Sequence, residues 1–132
     1  MNGPASILLI EDNETMRLLY KHQLVADGYN VLDAADAQDG FKILQNQKVD
    51  LLLLDILLPD KNGLDLLAEI RQDMKFANLP VLLLTTLPEE VAFDKGKALN
   101  VFGYMVKDQI TPETLSQRVK LTLDEVNEAK PN

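Results

Sequence analysis

The chain has 132 residues, one domain of ordinary size and long enough to bury a single core. An apolar fraction of 46% without any long apolar run argues against a disordered chain or a membrane span, and the absence of cysteine excludes disulfides, thiolate metal sites and thiol catalysis. Thirteen basic residues against 21 acidic ones give a net charge of −8, which repels a phosphate backbone and disfavours direct nucleic-acid binding.

The opening "MNGPAS" puts no charged region ahead of an apolar stretch of signal-peptide type. A cytoplasmic location is expected. Residues 7–10 read as the first strand and run directly into Glu11 and Asp12. A helix follows, with Met16, Leu19, Tyr20 and Leu24 on its apolar face. Residues 31–35 form a second strand, and Phe41 and Leu44 mark a second helix. At residues 51–54 four consecutive leucines predict a strand buried on both faces, as parallel strands covered by helices are. Asp55 ends that strand, and Pro59 and Gly63 break the chain before a third helix carrying Leu64, Leu67 and Ile70. Residues 81–84 predict a fourth strand ending at Thr85 and Thr86. A weaker helical pattern follows at Val91, Lys95 and Ala98, then a fifth strand over 101–106 ending at Lys107. The last helix carries Leu115, Val119, Leu123 and Val126, with Thr111 as its N-cap, Pro112 at its first position and Glu113 near the positive end of its dipole. Residues 1–127 are expected to form the domain and 128–132 a tail.

Five βα repeats imply a parallel sheet with right-handed crossovers and helices on both faces. In such sheets ligands bind outside the carboxyl ends of the strands, where Glu11, Asp12, Asp55, Thr85, Thr86 and Lys107 all fall. Three carboxylates grouped there raise one another's pKa unless a cation neutralises them. Mg²⁺ fits, because it takes one or two carboxylates, keeps several waters and shares its remaining positions with phosphate oxygens. Lys107 adds a point charge for the same phosphate.

This constellation resembles the receiver domain of two-component response regulators, over essentially the whole chain. The matching positions are the acidic pair Glu11 and Asp12, Asp55 ahead of Pro59 and Gly63, Thr85, Tyr104 three residues before the lysine, and Lys107. The resemblance implies a flavodoxin-like (βα)5 fold with strand order 2-1-3-4-5. It implies that Asp55 is the phosphoacceptor and that Asp12, Asp55 and the backbone carbonyl of Leu57 hold Mg²⁺, with Glu11 acting largely through the water shell. Thr85, Thr86, Tyr104 and Lys107 are the implied phosphate-binding and switch residues. The phosphoryl donor is then a sensor histidine kinase, a histidine phosphotransfer protein or a small phosphodonor. His22, the one histidine, is assigned to the helix surface.

The implied function is a phosphorylation-controlled switch that assists only its own phosphorylation and dephosphorylation. Its fourth helix, fifth strand and last helix, with Lys95, Tyr104, Lys107, Gln109 and Arg118, would control a downstream effector or form a phosphorylation-linked homodimer. A stand-alone receiver like the chemotaxis regulators and the N-terminal receiver of a longer protein both fit. Several positions depart from the family pattern. Leu58 stands where methionine is frequent, Asn62 where an acid is frequent, Thr86 where a small residue is usual, Asn100 where glycine is common, and Asp108 where proline commonly follows the lysine. A haloacid-dehalogenase-like phosphatase would need an acid where Leu57 stands, and a flavodoxin-like cofactor binder a Ser/Thr/Gly-rich loop where "EDNETM" is acidic. A degenerate receiver acting as a constitutive interaction module is disfavoured because every phosphorylation residue is present.

Overall fold

The computed structural model describes residues 3–88, Asp94 and residues 97–129. The elements run β1 (Ser6–Ile10), α1 (Glu14–Ala26), β2 (Asn30–Ala34), α2 (Ala37–Asn46), β3 (Leu51–Asp55), α3 (Gly63–Gln72), β4 (Val81–Thr85), β5 (Gly103–Val106) and α4 (Pro112–Ala129). Short 3₁₀ turns lie at Met74–Phe76 and Lys107–Gln109. The strands form one sheet in the order β2-β1-β3-β4-β5, and all four pairings are parallel.

Alternation along each strand sorts the apolar side chains to two sides. Leu8, Ile10, Leu52, Leu54, Val81 and Leu83 pack with Leu44 of α2 and with Leu66, Leu67 and Ile70 of α3. Ile7, Leu9, Leu51, Leu53, Leu82 and Leu84 pack with Tyr20 and Leu24 of α1 and with Leu115 and Val119 of α4. All five residues of β3 and of β4 are buried, as the consecutive leucines require.

Side-chain caps fix where the helices start. Asn13 accepts from the Met16 amide and Asn62 from the Leu64 amide. Thr111 and Thr114 at the start of α4 reciprocate, each hydroxyl accepting from the other's amide, so threonine takes the place of the usual acid in a capping box. At α2 the Asp60 carboxylate, from the loop after β3, accepts from the Ala37 and Gln38 amides. Those bonds hold its pKa below the usual carboxylate value.

Several expectations are corrected. Leu19 is 48% exposed rather than buried. Met16, Tyr20 and Leu24 sit four residues apart and make a narrow stripe, and position 19 lies about 100° from its centre. β5 begins at Gly103 rather than at residue 101. Helix α4 continues through Glu128 and Ala129, which the sequence placed in the tail. Of the fourth predicted helix, Val91 and Lys95 lie outside the described residues; Asp94 and Lys97 are helical, and 98–100 form a turn. There Asn100 has φ 58°, the left-handed conformation expected of a residue standing where glycine is common. Among the described residues no helix is long and apolar enough to cross a membrane.

Candidate functional site

The carboxyl ends of β1, β3, β4 and β5 bring the expected polar residues together. Asp55 is the last residue of β3 and only 2% exposed, although it follows four leucines and carries a charge-bearing group. Its position is set by backbone: the Ile56 amide donates to the Leu84 carbonyl, and the Gly63 amide donates to the Ile56 carbonyl. A methyl group on Gly63 would run into the Asp55 carbonyl oxygen, so glycine there serves close approach as well as turning.

Asp55 Oδ1 accepts from the Leu57 amide at 3.2 Å, and Oδ2 accepts from Lys107 Nζ at 2.8 Å. The same ammonium lies 2.6 Å from Glu11 Oε1. This second approach is close enough for an ion pair but lies off the hydrogen-bonding directions of Oε1. Glu11 is fully buried, its Oε2 accepting from the Asn13 amide at 3.1 Å. Asp12 beside it is exposed. One carboxylate oxygen from each of Glu11, Asp12 and Asp55 falls within 4.8 Å of the others, an acidic cluster able to hold a metal ion.

Burial pushes the Asp55 carboxyl up to about 7; the Lys107 hydrogen bond works against that shift, and the neighbouring Glu11 adds to it. For Lys107, burial disfavours the charge, yet its hydrogen bond to Asp55 and the ion pair with Glu11 hold its pKa above the ordinary lysine value. The pair is therefore anchored by a permanent cation, and Asp55 is the group whose ionisation is costly.

Thr85 ends β4 fully buried, and its hydroxyl oxygen accepts from the Leu87 amide at 2.9 Å, which leaves the hydroxyl proton to donate elsewhere. Thr86 is exposed next to it. Tyr104 on β5 is half-buried against the cluster containing Val81 and Leu83. Leu57 is 53% exposed at the site, while Leu87 is partly buried against the core.

Sequence reasoning missed the supports. Arg17, one turn into α1, donates to the Glu11 carbonyl at 2.9 Å and to Asp33 at 3.2 Å, tying the acidic loop to β2. Arg71 donates to the carbonyls of Phe76, Leu79, Leu99 and Asn100, fastening α3 to the chain ahead of β5. Arg17 could have been suspected from its place one turn beyond the acidic pair; nothing local marks Arg71 or Asp60.

A family model, the response regulator receiver domain, matches residues 7–120. The chain belongs to the response regulator receiver domain family. It is 34% identical to the alkaline phosphatase synthesis transcriptional regulatory protein PhoP of Bacillus subtilis over 128 residues, 96% of this chain and 51% of that protein. To chemotaxis protein CheY1 of Helicobacter pylori it is 30% identical over 119 residues, 89% of this chain and 95% of that protein. The solved CheY-like receiver domain protein of Methanospirillum hungatei superposes with a TM-score of 0.88 at 25% identity, covering 97% of this chain and 100% of that one. The chain spans about half the length of the transcriptional regulators it matches. As a receiver domain it is a phosphorylation-controlled signalling switch, not an enzyme of the conventional kind. Its acidic cluster is of the type at which this family binds Mg²⁺.

Proposed function

We propose that Asp55 of this receiver is the phosphoacceptor, that Glu11, Asp12, Asp55 and the Leu57 carbonyl serve Mg²⁺, and that Lys107 and Thr85 take the phosphoryl oxygens. The observation that carries the reading is the Lys107 ammonium paired at once with Asp55 and Glu11 at the carboxyl edge of the sheet. Phosphoryl transfer requires an in-line nucleophile and neutralised oxygens, and little else. A carboxylate oxygen of Asp55 attacks the phosphorus of a phosphohistidine. The P–N bond breaks with its electron pair staying on the imidazole nitrogen, and an acyl phosphate forms.

The donor set suits a hard cation: oxygen ligands throughout, with one carboxylate oxygen from each of Glu11, Asp12 and Asp55 within 4.8 Å of the others. Bound Mg²⁺ supplies charge neutralisation at the phosphoryl oxygens and keeps Asp55 ionised. Lys107 transfers part of its pairing from Asp55 to the new oxygens, and the Thr85 proton, free of the Leu87 contact, donates to another. Thr86 borders the entrance. As Thr85 is drawn toward the phosphate, Tyr104 moves into the space it leaves. Taking such a switch from 1:99 to 99:1 needs about 10⁴-fold preference, and a few charge-assisted hydrogen bonds supply a part of that.

The face that reports the change carries a groove of about 370 Å³ between β5 and α4, lined by Tyr104, Gln109, Ile110, Thr114, Arg118 and Leu121. We assign it to a downstream effector protein or to a phosphorylation-linked second copy. The donor is a sensor histidine kinase or a histidine phosphotransfer protein, since His22 is exposed on α1 and takes no part in the cluster. Donors charged from ATP place the protein in the cytoplasm. The chain's own catalysis is confined to gaining and losing this phosphoryl group.

Incubation with acetyl phosphate and Mg²⁺, followed by intact mass measurement, tests the reading. One phosphoryl group is expected on the parent and none on Asp55→Asn. Equal phosphorylation of both would remove Asp55 from the role.

A further inference from the structure

Asp12 is the exposed member of the acidic cluster, and none of the described ion pairs holds its carboxylate. A side chain without such a partner takes its direction from the backbone that carries it. For Asp12 that backbone is held on both sides. The peptide group joining Glu11 to Asp12 has its carbonyl oxygen bound by Arg17 Nη1, which donates at 2.9 Å. The peptide group joining Asp12 to Asn13 has its N–H bound by Glu11 Oε2, which accepts at 3.1 Å. Peptide groups are planar, so fixing both planes fixes the direction of the Asp12 Cα–Cβ bond between them.

The two clamps have separate supports. Glu11 is anchored by its burial and by Lys107. Arg17 is anchored from β2: its Nε donates to Asp33 Oδ2 at 3.2 Å, while Lys21, one turn further along α1, donates to Asp33 Oδ1 at 2.8 Å. Strand β2 is itself registered on β1, with Asp33 opposite Leu9, and the Glu11 amide donates to the Ala34 carbonyl at 3.0 Å where the strands end. Helical side chains lean back toward the N-terminus, which carries the guanidinium over the acidic turn. Its planar fork then spans the turn and β2 at once, a geometry that a lysine ammonium does not reproduce. The Arg17 and Asp33 side chains are 16% and 23% exposed, so solvent screens the pair only in part.

We propose that Arg17 is a positioning residue of the metal site, its guanidinium clamped between Asp33 and the Glu11 carbonyl so that the Asp12 carboxylate is aimed at the acidic cluster before Mg²⁺ binds. This rests on the assignment of Asp12 to Mg²⁺. The ion demands near-ideal octahedral geometry at short oxygen distances, and a ligand that must first be ordered weakens binding. Arg17 is also a cation on the turn that carries a cation ligand. Through charge alone it would repel Mg²⁺, and its removal would tighten binding; through positioning its removal weakens binding. The two roles therefore differ in sign.

The test titrates Mg²⁺ into parent, Arg17→Met, Arg17→Lys, Asp33→Asn, the Arg17→Met, Asp33→Asn double variant and Asp12→Ala, following backbone amide resonances well below every melting transition. Arg17→Met keeps the apolar stem and is expected to bind Mg²⁺ about tenfold more weakly than the parent, the lower end of the range for outer partners of metal ligands. Arg17→Lys, which keeps the charge and loses the fork, should recover part of that loss. Asp33→Asn should weaken binding in the same direction, and the double variant no further than Arg17→Met, because Asp33 acts through Arg17. Unchanged or tighter binding in Arg17→Met overturns the proposal, as do losses that simply add in the double variant. Should Arg17→Met not fold, Arg17→Lys decides on the same readout: weaker binding than the parent supports the proposal and equal binding overturns it. Parent-like binding by Asp12→Ala would instead refute Asp12 as a ligand, and the role of Arg17 would fall with it.

Discussion

Lys107 reaches across the end of β4 to Asp55, its ammonium 2.8 Å from Oδ2, so that residues from β5 and β3 meet over the strand between them. The span is about 10 Å of sheet, more than an extended lysine side chain covers alone, and the hydrogen bond and the Asp55 carboxylate bridge the rest. The pair is 15% and 2% exposed, respectively, which makes it a buried ion pair with a second carboxylate against it. Such an arrangement is retained for chemistry more readily than for stability, because desolvation offsets most of the attraction.

The pH dependence of the metal-free protein follows. Asp55 titrates near 3.8 when unfolded and at about 7 when folded, so between these values the native state binds the extra proton. Stability therefore falls as pH rises through that window, by up to about 4 kcal/mol from this group at about 1.4 kcal/mol per pH unit. Without metal, Asp55→Asn is expected to melt higher than the parent at pH 8, and the difference should shrink toward pH 5. A constant gap across that range would show that ionisation of Asp55 is not what the folded state resists.

Mg²⁺ reverses the same penalty. On the proposed assignment the ion binds the folded cluster and not the unfolded chain, so millimolar Mg²⁺ is predicted to raise the melting temperature, by the mass-action term of about 2.7 kcal/mol at a hundredfold excess over Kd. Asp12 is the exposed member of the cluster and the one without a lysine partner among the described ion pairs. Asp12→Ala should lose most of the Mg²⁺-dependent gain. If its melting temperature climbs with Mg²⁺ as much as the parent's, Asp12 is not a ligand.

Much of this site could be read from the sequence because its members end strands. Leu51 to Leu54 fix β3 as a central strand, and once five strands alternate with helices, topology carries Glu11, Asp55, Thr85 and Lys107 to one edge. Side chains that depend on distant partners were not legible. Asp60 caps α2 across 23 positions, and Arg71 reaches Leu99 and Asn100 from 28 and 29 positions away. Leu19 failed for another reason: a leucine beside a narrow stripe looks the same in sequence as one within it.

Gly63 offers a separate test of how backbone positions Asp55. An alanine there would press on the Asp55 carbonyl and the Ile56 Cα, costing about 1–3 kcal/mol as overpacking does. Gly63→Ala should melt lower and accept phosphate from acetyl phosphate more slowly. Asn62→Ala removes only the α3 cap, at about 1 kcal/mol, and should leave the phosphorylation rate near that of the parent. If the two variants lose rate equally, helix stability and not the fit around Asp55 governs the reaction.

We predict that the lifetime of the phosphorylated state turns on Leu57 and Leu87, two residues beyond Asp55 and two beyond Thr85. Hydrolysis needs a water in line with the breaking O–P bond, its oxygen forming the new bond to phosphorus while the electron pair of the old one returns to the Asp55 carboxylate. Neither leucine can orient that water or accept its proton. Leu57 lies 53% exposed, while Leu87 is partly buried against the core and its amide donates to the Thr85 hydroxyl oxygen. Both therefore discourage water without contributing a base. A Leu57→Asn, Leu87→Glu double variant should lose phosphate faster than the parent, by about 10²-fold if the new groups act as a positioned general base. The measurement is decay of the phosphorylated species after removal of the donor, in one buffer with Mg²⁺ held constant. Equal decay in the two proteins would show that the leucines do not set the lifetime, and would move the control to Thr86 at the entrance or to a separate phosphatase.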